Sequence, residues 1–80
     1  MKYVYLLQSQ TLPDKHYIGL TSDLKTRLSV HNQGGSMYTA KFRPWKLATY
    51  IAFTDADKAV SFEKYLKSGS GRAFADKRFW

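Results

Sequence analysis

The chain contains no cysteine, which excludes both a disulfide scaffold and thiolate metal sites. It also lacks any long apolar run. The longest are strand-like pieces such as Val4 to Leu7, far short of the roughly 20 residues that a membrane-spanning helix requires. Met1-Lys2-Tyr3 runs directly into a strand pattern and leaves no room for a secretory leader, so a cytoplasmic protein is expected. No Walker loop, metal-binding histidine helix, nucleophile elbow or zinc spacing is present. Acids are scarce as well: six stand against thirteen lysines and arginines, for a formal charge of +7 on 80 residues. Such a surface attracts phosphate polymers through counterion release. A membrane partner is not expected, because no basic amphipathic helix of useful length appears. Charge sets the partner class and says nothing about chemistry.

Eighty residues make one small domain, spanning 1–80. Five phenylalanines, six tyrosines and two tryptophans can supply its core without cross-links. Residues 2 to 8 are rich in β-formers and read as a buried strand. Thr11-Leu12-Pro13-Asp14 is a turn, and His16 to Leu20 a second strand, so the chain opens with an antiparallel hairpin. Tyr5 and Tyr17 then share a face if the register sum is even. Thr21-Ser22-Asp23 is a helix entry with Thr21 or Ser22 as N-cap, and the helix runs from about Asp23 to His31 or Asn32. Gly34-Gly35 ends it. Ser36 to Pro44 is a basic connector with room for one irregular helical turn. Trp45 to Phe53 is a third strand. A helix capped by Thr54 follows to about Lys67, and a short one lies within Arg72 to Phe79. The order is β-β-α-β-α-α.

Several side chains on these elements can carry chemistry. Ala59, Phe62 and Leu66 form an apolar helical stripe, and Glu63 takes the i+4 place within it. A carboxylate there needs compensation. It is either a ligand for a hard divalent ion or the partner of a nearby Lys or Arg. Arg27 and His31, at i and i+4, can address one point in space. The arginine suits a phosphate, and the histidine suits a proton or a base. Their plainer reading is a surface arginine and a histidine favoured by a helix C-terminus. Tyr5 and Tyr17 are either amphipathic core residues or phenols whose pKa is lowered by cations. His16 points to the other strand face and stays outside this set. Tyr38, Phe42 and Trp45 interleave with Lys41, Arg43 and Lys46 and can stack on unpaired bases, although core packing suits Trp45 equally.

The ordered set is more specific than any member of it. Tyr3-Val4-Tyr5, Tyr17-Ile18-Gly19, Arg27, His31 and Glu63 at these separations resemble the GIY-YIG nuclease domain, in particular its short stand-alone bacterial members. The segments from Ser22 to Leu28, Arg43 to Leu47 and Glu63 to Arg72 carry the same likeness, which covers essentially the whole chain. The resemblance implies a small three-stranded antiparallel sheet flanked by helices, an α+β fold. It also implies metal-dependent hydrolysis of phosphodiester bonds in DNA, with RNA as a second possible substrate. Glu63 would bind one Mg²⁺ or Mn²⁺, Arg27 would stabilise the phosphate, and a tyrosine would activate water. Tyr17 is favoured for that task, with Tyr5 positioning and His31 supporting. Tyr38, Lys41, Arg43, Lys46 and Arg72 would contact nucleic acid. The chain departs from the family pattern at Tyr3, where glycine is common, and at Leu20, where some members are basic. Asn32 is the only asparagine, and it lies far from the C-terminal position some relatives use. The rival reading is a binding module on the same fold with little or no catalysis. Specificity would come from a protein partner or from DNA shape, and no interface for self-association is encoded in an obvious way.

Overall fold

The computed structural model describes all 80 residues. Two strands, β1 (Lys2–Ser9) and β2 (His16–Thr21), lead into helix α1 (Leu24–Asn32) and a four-residue helix α2 (Met37–Ala40). Strand β3 (Trp45–Phe53) and helices α3 (Ala56–Leu66) and α4 (Gly69–Arg78) complete the chain. The β-β-α-β-α-α order expected from sequence is present, and α2 is the helical turn anticipated in the connector. The sheet is antiparallel in the order β2-β1-β3. β1 is the central strand with helices on both sides, which is why Val4, Tyr5, Leu6 and Leu7 are all buried in succession and do not alternate. No helix is long and apolar enough to cross a membrane.

The two faces of β1 belong to two cores. Val4 and Leu6 pack with Ala59, Leu66 and Ala75 beneath α3 and α4. Tyr5 and Leu7 pack with Trp45, and Leu24 and Leu28 of α1 close over them. β3 serves both cores because of a bulge. Its pairing with β1 shifts by one residue between Leu6 and Leu7, from Leu7↔Leu47 to Leu6↔Thr49. One extra residue reverses the side-chain parity of a strand. Trp45 and Leu47 therefore join the α1 core, whereas Ile51 and Phe53 join the α3 core.

The helix entries differ from expectation in one respect. Asp23, and not Thr21 or Ser22, caps α1, accepting from the Thr26 N–H at 3.1 Å and the Thr26 hydroxyl at 2.9 Å. Thr21 instead accepts the Asp23 N–H at 3.1 Å. Asp55 likewise displaces Thr54 as the cap of α3, accepting from Asp57 and Lys58 at 2.9 and 3.2 Å. In both places a carboxylate offers a charged acceptor to a positive helix end, which a hydroxyl cannot match. Those bonds from Thr26 hold the Asp23 carboxyl below its ordinary pKa. Ser68 caps α4 through the Gly71 N–H at 3.2 Å, so the Gly69-Ser70-Gly71 run opens a helix as well as closing one. Gly71 is buried where a side chain would collide with the Tyr65 carbonyl, and this lets α4 lie directly against the end of α3.

Candidate active site

The register decides which side chains meet. β1 and β2 pair Tyr5 with Gly19 and Leu7 with Tyr17, so the register sum is even and both tyrosines project from the same face. Their rings lie 6.2 Å apart, and both approach His31 of α1, at 5.9 Å from Tyr5 and 4.8 Å from Tyr17. His31 is the only fully buried residue of α1. Its surroundings form a directed chain of hydrogen bonds. The Thr39 hydroxyl donates to the Ser36 carbonyl at 3.4 Å, which leaves its oxygen to accept from His31 Nδ1 at 2.8 Å. His31 Nε2 is then the acceptor for the Tyr5 hydroxyl at 3.0 Å. The network thus assigns the Nδ1–H tautomer, on the rule that every buried donor needs an acceptor. The short α2 helix is what brings Thr39 to this place, and it is held there in turn. The Thr39 carbonyl accepts the Trp45 indole N–H at 2.8 Å. Asn32 clamps the Trp45 backbone, accepting its N–H at 2.6 Å and donating to its carbonyl at 3.1 Å.

Gly19 is required by Tyr5. A Cβ on residue 19 would fall on the Tyr5 phenol, whose oxygen and ring carbons occupy that space. The missing side chain on β2 is therefore the seat of the phenol from β1. Gly19→Ala is expected to cost about 1–3 kcal/mol of stability through overpacking, and to displace the hydroxyl from His31. Chemical denaturation checks the first effect. The histidine ring resonances in NMR spectra report the second, and an unchanged His31 environment would contradict this packing.

Burial acts on both partners of the Tyr5–His31 bond. Desolvation raises the Tyr5 pKa above 10.0, opposed by the adjacent Arg27 guanidinium and assisted by Tyr17 and Glu63. Tyr5 is thus a phenol at neutral pH and a proton donor to His31. Desolvation, followed by the Arg27 charge, lowers the His31 pKa below its ordinary 6.5. The native state therefore disfavours the imidazolium. Its contribution to stability is complete above pH 6.5 and is lost as the pH falls from there through the folded-state pKa. Stability should consequently rise with pH across mildly acidic conditions. Denaturant midpoints at several pH values would show this, and His31→Gln should flatten the slope.

The remaining candidate residues are disposed as follows. Tyr17 is half-buried, and its hydroxyl makes no hydrogen bond within the protein, so of the two phenols it is the one open to an incoming water. Arg27 is exposed at the rim of α1, and its guanidinium lies against the Tyr5 phenol. Glu63 comes from α3, on the other helix layer, and its charge still bears on Tyr5. Its carboxylate, 15% exposed, pairs with Lys67 at 2.6 Å. No cluster of three His, Cys, Asp or Glu residues capable of holding a metal exists. Among the expected nucleic-acid contacts, Tyr38 is half exposed beside Tyr17 and Phe42. Lys41, Arg43, Lys46 and Arg72 are exposed, with Arg43 lying over Gly34. Trp45 is different: it is buried, its indole bonded to Thr39, and it is unavailable to stack on a base.

This geometry coincides with a known family. The sequence model described as the GIY-YIG catalytic domain matches residues 1–77, and the chain belongs to that nuclease family. Within it, the chain is similar to UPF0213 proteins. One from Streptococcus pneumoniae is 38% identical over 66 residues, covering 81% of this chain and 65% of the relative. The solution NMR structure of a UPF0213 protein from Bacillus halodurans matches with a TM-score of 0.57 and 28% identity, over 96% of this chain and 84% of that one. A protein from Scheffersomyces stipitis named structure-specific endonuclease subunit SLX1 is 40% identical over 67 residues, which are 75% of this chain and 20% of the yeast protein. The chain thus spans about two-thirds of the streptococcal relative and a fifth of the yeast one.

Proposed function

We propose that this protein is a metal-dependent endonuclease that hydrolyses phosphodiester bonds in DNA. The observation that carries this reading is the convergence of Tyr5, Tyr17, His31 and Arg27 on one sheet face, within electrostatic reach of the lone carboxylate of Glu63. Membership of a nuclease family and the +7 charge support it.

Glu63 fits a hard divalent ion such as Mg²⁺ or Mn²⁺. It offers oxygen alone, and it already holds a cationic group, the Lys67 ammonium. Mg²⁺ commonly takes only one or two protein carboxylates and completes its shell with water and substrate phosphate. When bound, the ion would supply Lewis-acid stabilisation of charge on the phosphate. The protein's own residues do the rest. Arg27, planar and permanently charged, grips the scissile phosphate and offsets the negative charge that develops on it. Tyr17, with its free hydroxyl, orients the attacking water. Tyr5 donates to His31 and so presents its oxygen lone pairs toward Arg27, which fixes the guanidinium in place. His31, neutral and buried, holds Tyr5 through Nε2 and is itself held through Nδ1 by Thr39. The family relation to a protein named as an endonuclease subunit supports a further protein that supplies specificity.

A binding module on the same fold would share the basic surface, so both readings require binding that weakens steeply with salt. Only the nuclease requires a metal. Single-stranded, duplex and branched DNA incubated with the protein should be cut in Mg²⁺ or Mn²⁺ and left intact in EDTA. Binding without scission on every substrate would reject the nuclease in favour of the module.

A further inference from the structure

The molecule has a single cavity, of about 480 Å³, and it lies along β2, the outer strand of the sheet. That volume falls within the range usual for small-ligand pockets, roughly 300–1,000 Å³. Aromatic side chains from three separate segments line it: Tyr17 of β2, Tyr38 of α2, and Trp80 beyond α4. Trp80 is fixed by a face-to-face stack on His16, with ring centroids 3.6 Å apart and planes at 9°. Lys15, Lys67 and Arg72 supply cations, and Asp14 and Asp76 supply acids, which leaves one positive charge in excess.

The cavity adjoins the candidate active site at Tyr17. Tyr17 forms its wall and also packs against His31, and Lys67, another lining residue, pairs with Glu63. An occupant of the cavity would therefore touch Tyr17, the phenol proposed to orient the attacking water.

We propose that this cavity holds one unpaired nucleotide of a DNA strand, in contact with Tyr17. The inference rests on the nuclease reading for its placement and adds a substrate class to it. Aromatic walls favour a base face, since stacking accepts any base. A paired base within a duplex is already covered on both faces by its neighbours and cannot enter. The excess of a single positive charge matches one phosphodiester group and would serve poorly for a polyphosphate or a continuous duplex backbone. The protein would thus act where DNA departs from full pairing.

The tryptophans make a direct test possible. Trp45 is sealed, 1% exposed, whereas Trp80 lines the cavity, so fluorescence quenching by a ligand reports on Trp80. Titration without metal uses three probes: a thymidine octamer, its uridine RNA counterpart, and a blunt DNA hairpin duplex. Quenching is expected with the DNA octamer and not with the hairpin. Trp80→Leu should remove the signal. Arg72→Ala, at an exposed position that does not endanger folding, should weaken octamer binding about tenfold. In cleavage assays Arg72→Ala should lower, by about the same tenfold factor, the kcat/KM ratio between a flapped substrate and a full duplex. Equal quenching by the hairpin, tighter binding of the RNA octamer than the DNA octamer, or unaltered octamer affinity in Arg72→Ala would each overturn the proposal. The binding arm needs no metal and no scission. It can therefore fail while cleavage stands, or stand while cleavage fails.

Discussion

Glu63→Ala should reduce DNA cleavage to background while leaving the protein folded and able to bind DNA. The folded state loses little with this side chain. Its recorded partner is Lys67, four residues on, half exposed on the same helix. Pairs four residues apart on one helix contribute about 0.3–0.5 kcal/mol, and alanine is the stronger helix former. Because the Glu63 side chain is only 15% exposed, its removal also loses some packing, so the net loss should stay within about 1 kcal/mol. The effect on activity has a separate origin. The Glu63 charge bears on Tyr5, and there is no cluster of three His, Cys, Asp or Glu residues that could take over a divalent ion. Three measurements check this: cleavage in Mg²⁺ and Mn²⁺, DNA affinity at fixed salt, and the urea midpoint. Wild-type cleavage in the variant would remove the metal assignment. A large fall in the urea midpoint would instead make Glu63 a structural residue.

Arg27→Ala should lower kcat by about 10²–10³-fold, with a smaller change in KM. The arginine is exposed and takes no part in either core, so its removal should change stability by less than about 0.5 kcal/mol. On the proposed mechanism its contribution to turnover would come from a fixed positive charge where phosphate charge grows. Arg27→Lys should recover only part of the loss, because an ammonium lacks the planar fork that grips a phosphate through two oxygens. A second readout separates this role from surface decoration. The Arg27 charge lowers the His31 pKa, so in Arg27→Ala that pKa should move back up toward 6.5. The acid-sensitive range of stability would then shift to higher pH. Wild-type turnover together with an unmoved histidine titration would show that the guanidinium does not face the site.

Much of this arrangement was legible in the sequence, because it depends on local rules. Strand parity placed Tyr5 and Tyr17 on one face once an even register was assumed, and helix spacing placed Arg27 and His31 one turn apart. What escaped depended on partners distant in the chain. The segment Trp45 to Phe53 alternates so regularly that nothing in it marks a bulge; the parity switch arises from how β3 seats against β1. Trp45 sits in a basic, aromatic stretch, and composition alone left open a role in stacking on bases. Its burial follows from hydrogen bonds to Asn32 and Thr39 that sequence order does not reveal. Taken alone, His31 read more readily as a histidine favoured by a helix C-terminus. The Thr39 and Tyr5 hydroxyls make it a neutral buried link instead. Gly19 belonged to a recognisable tripeptide, but its reason lies across the sheet, in the ring of Tyr5. The cavity along β2 needs Trp80 against His16, a contact 64 positions apart (80 minus 16) that no local pattern signals.

Four of the five residues of the site lie within the first 31, and Glu63 alone comes from the later helix α3. The side chains that gather around Tyr5 are thus drawn from both halves of the chain, and Glu63 joins them only once α3 has packed against β1. A chain cut short before α3 would keep both tyrosines, Arg27 and His31 and would lose the acidic side chain whose charge reaches Tyr5.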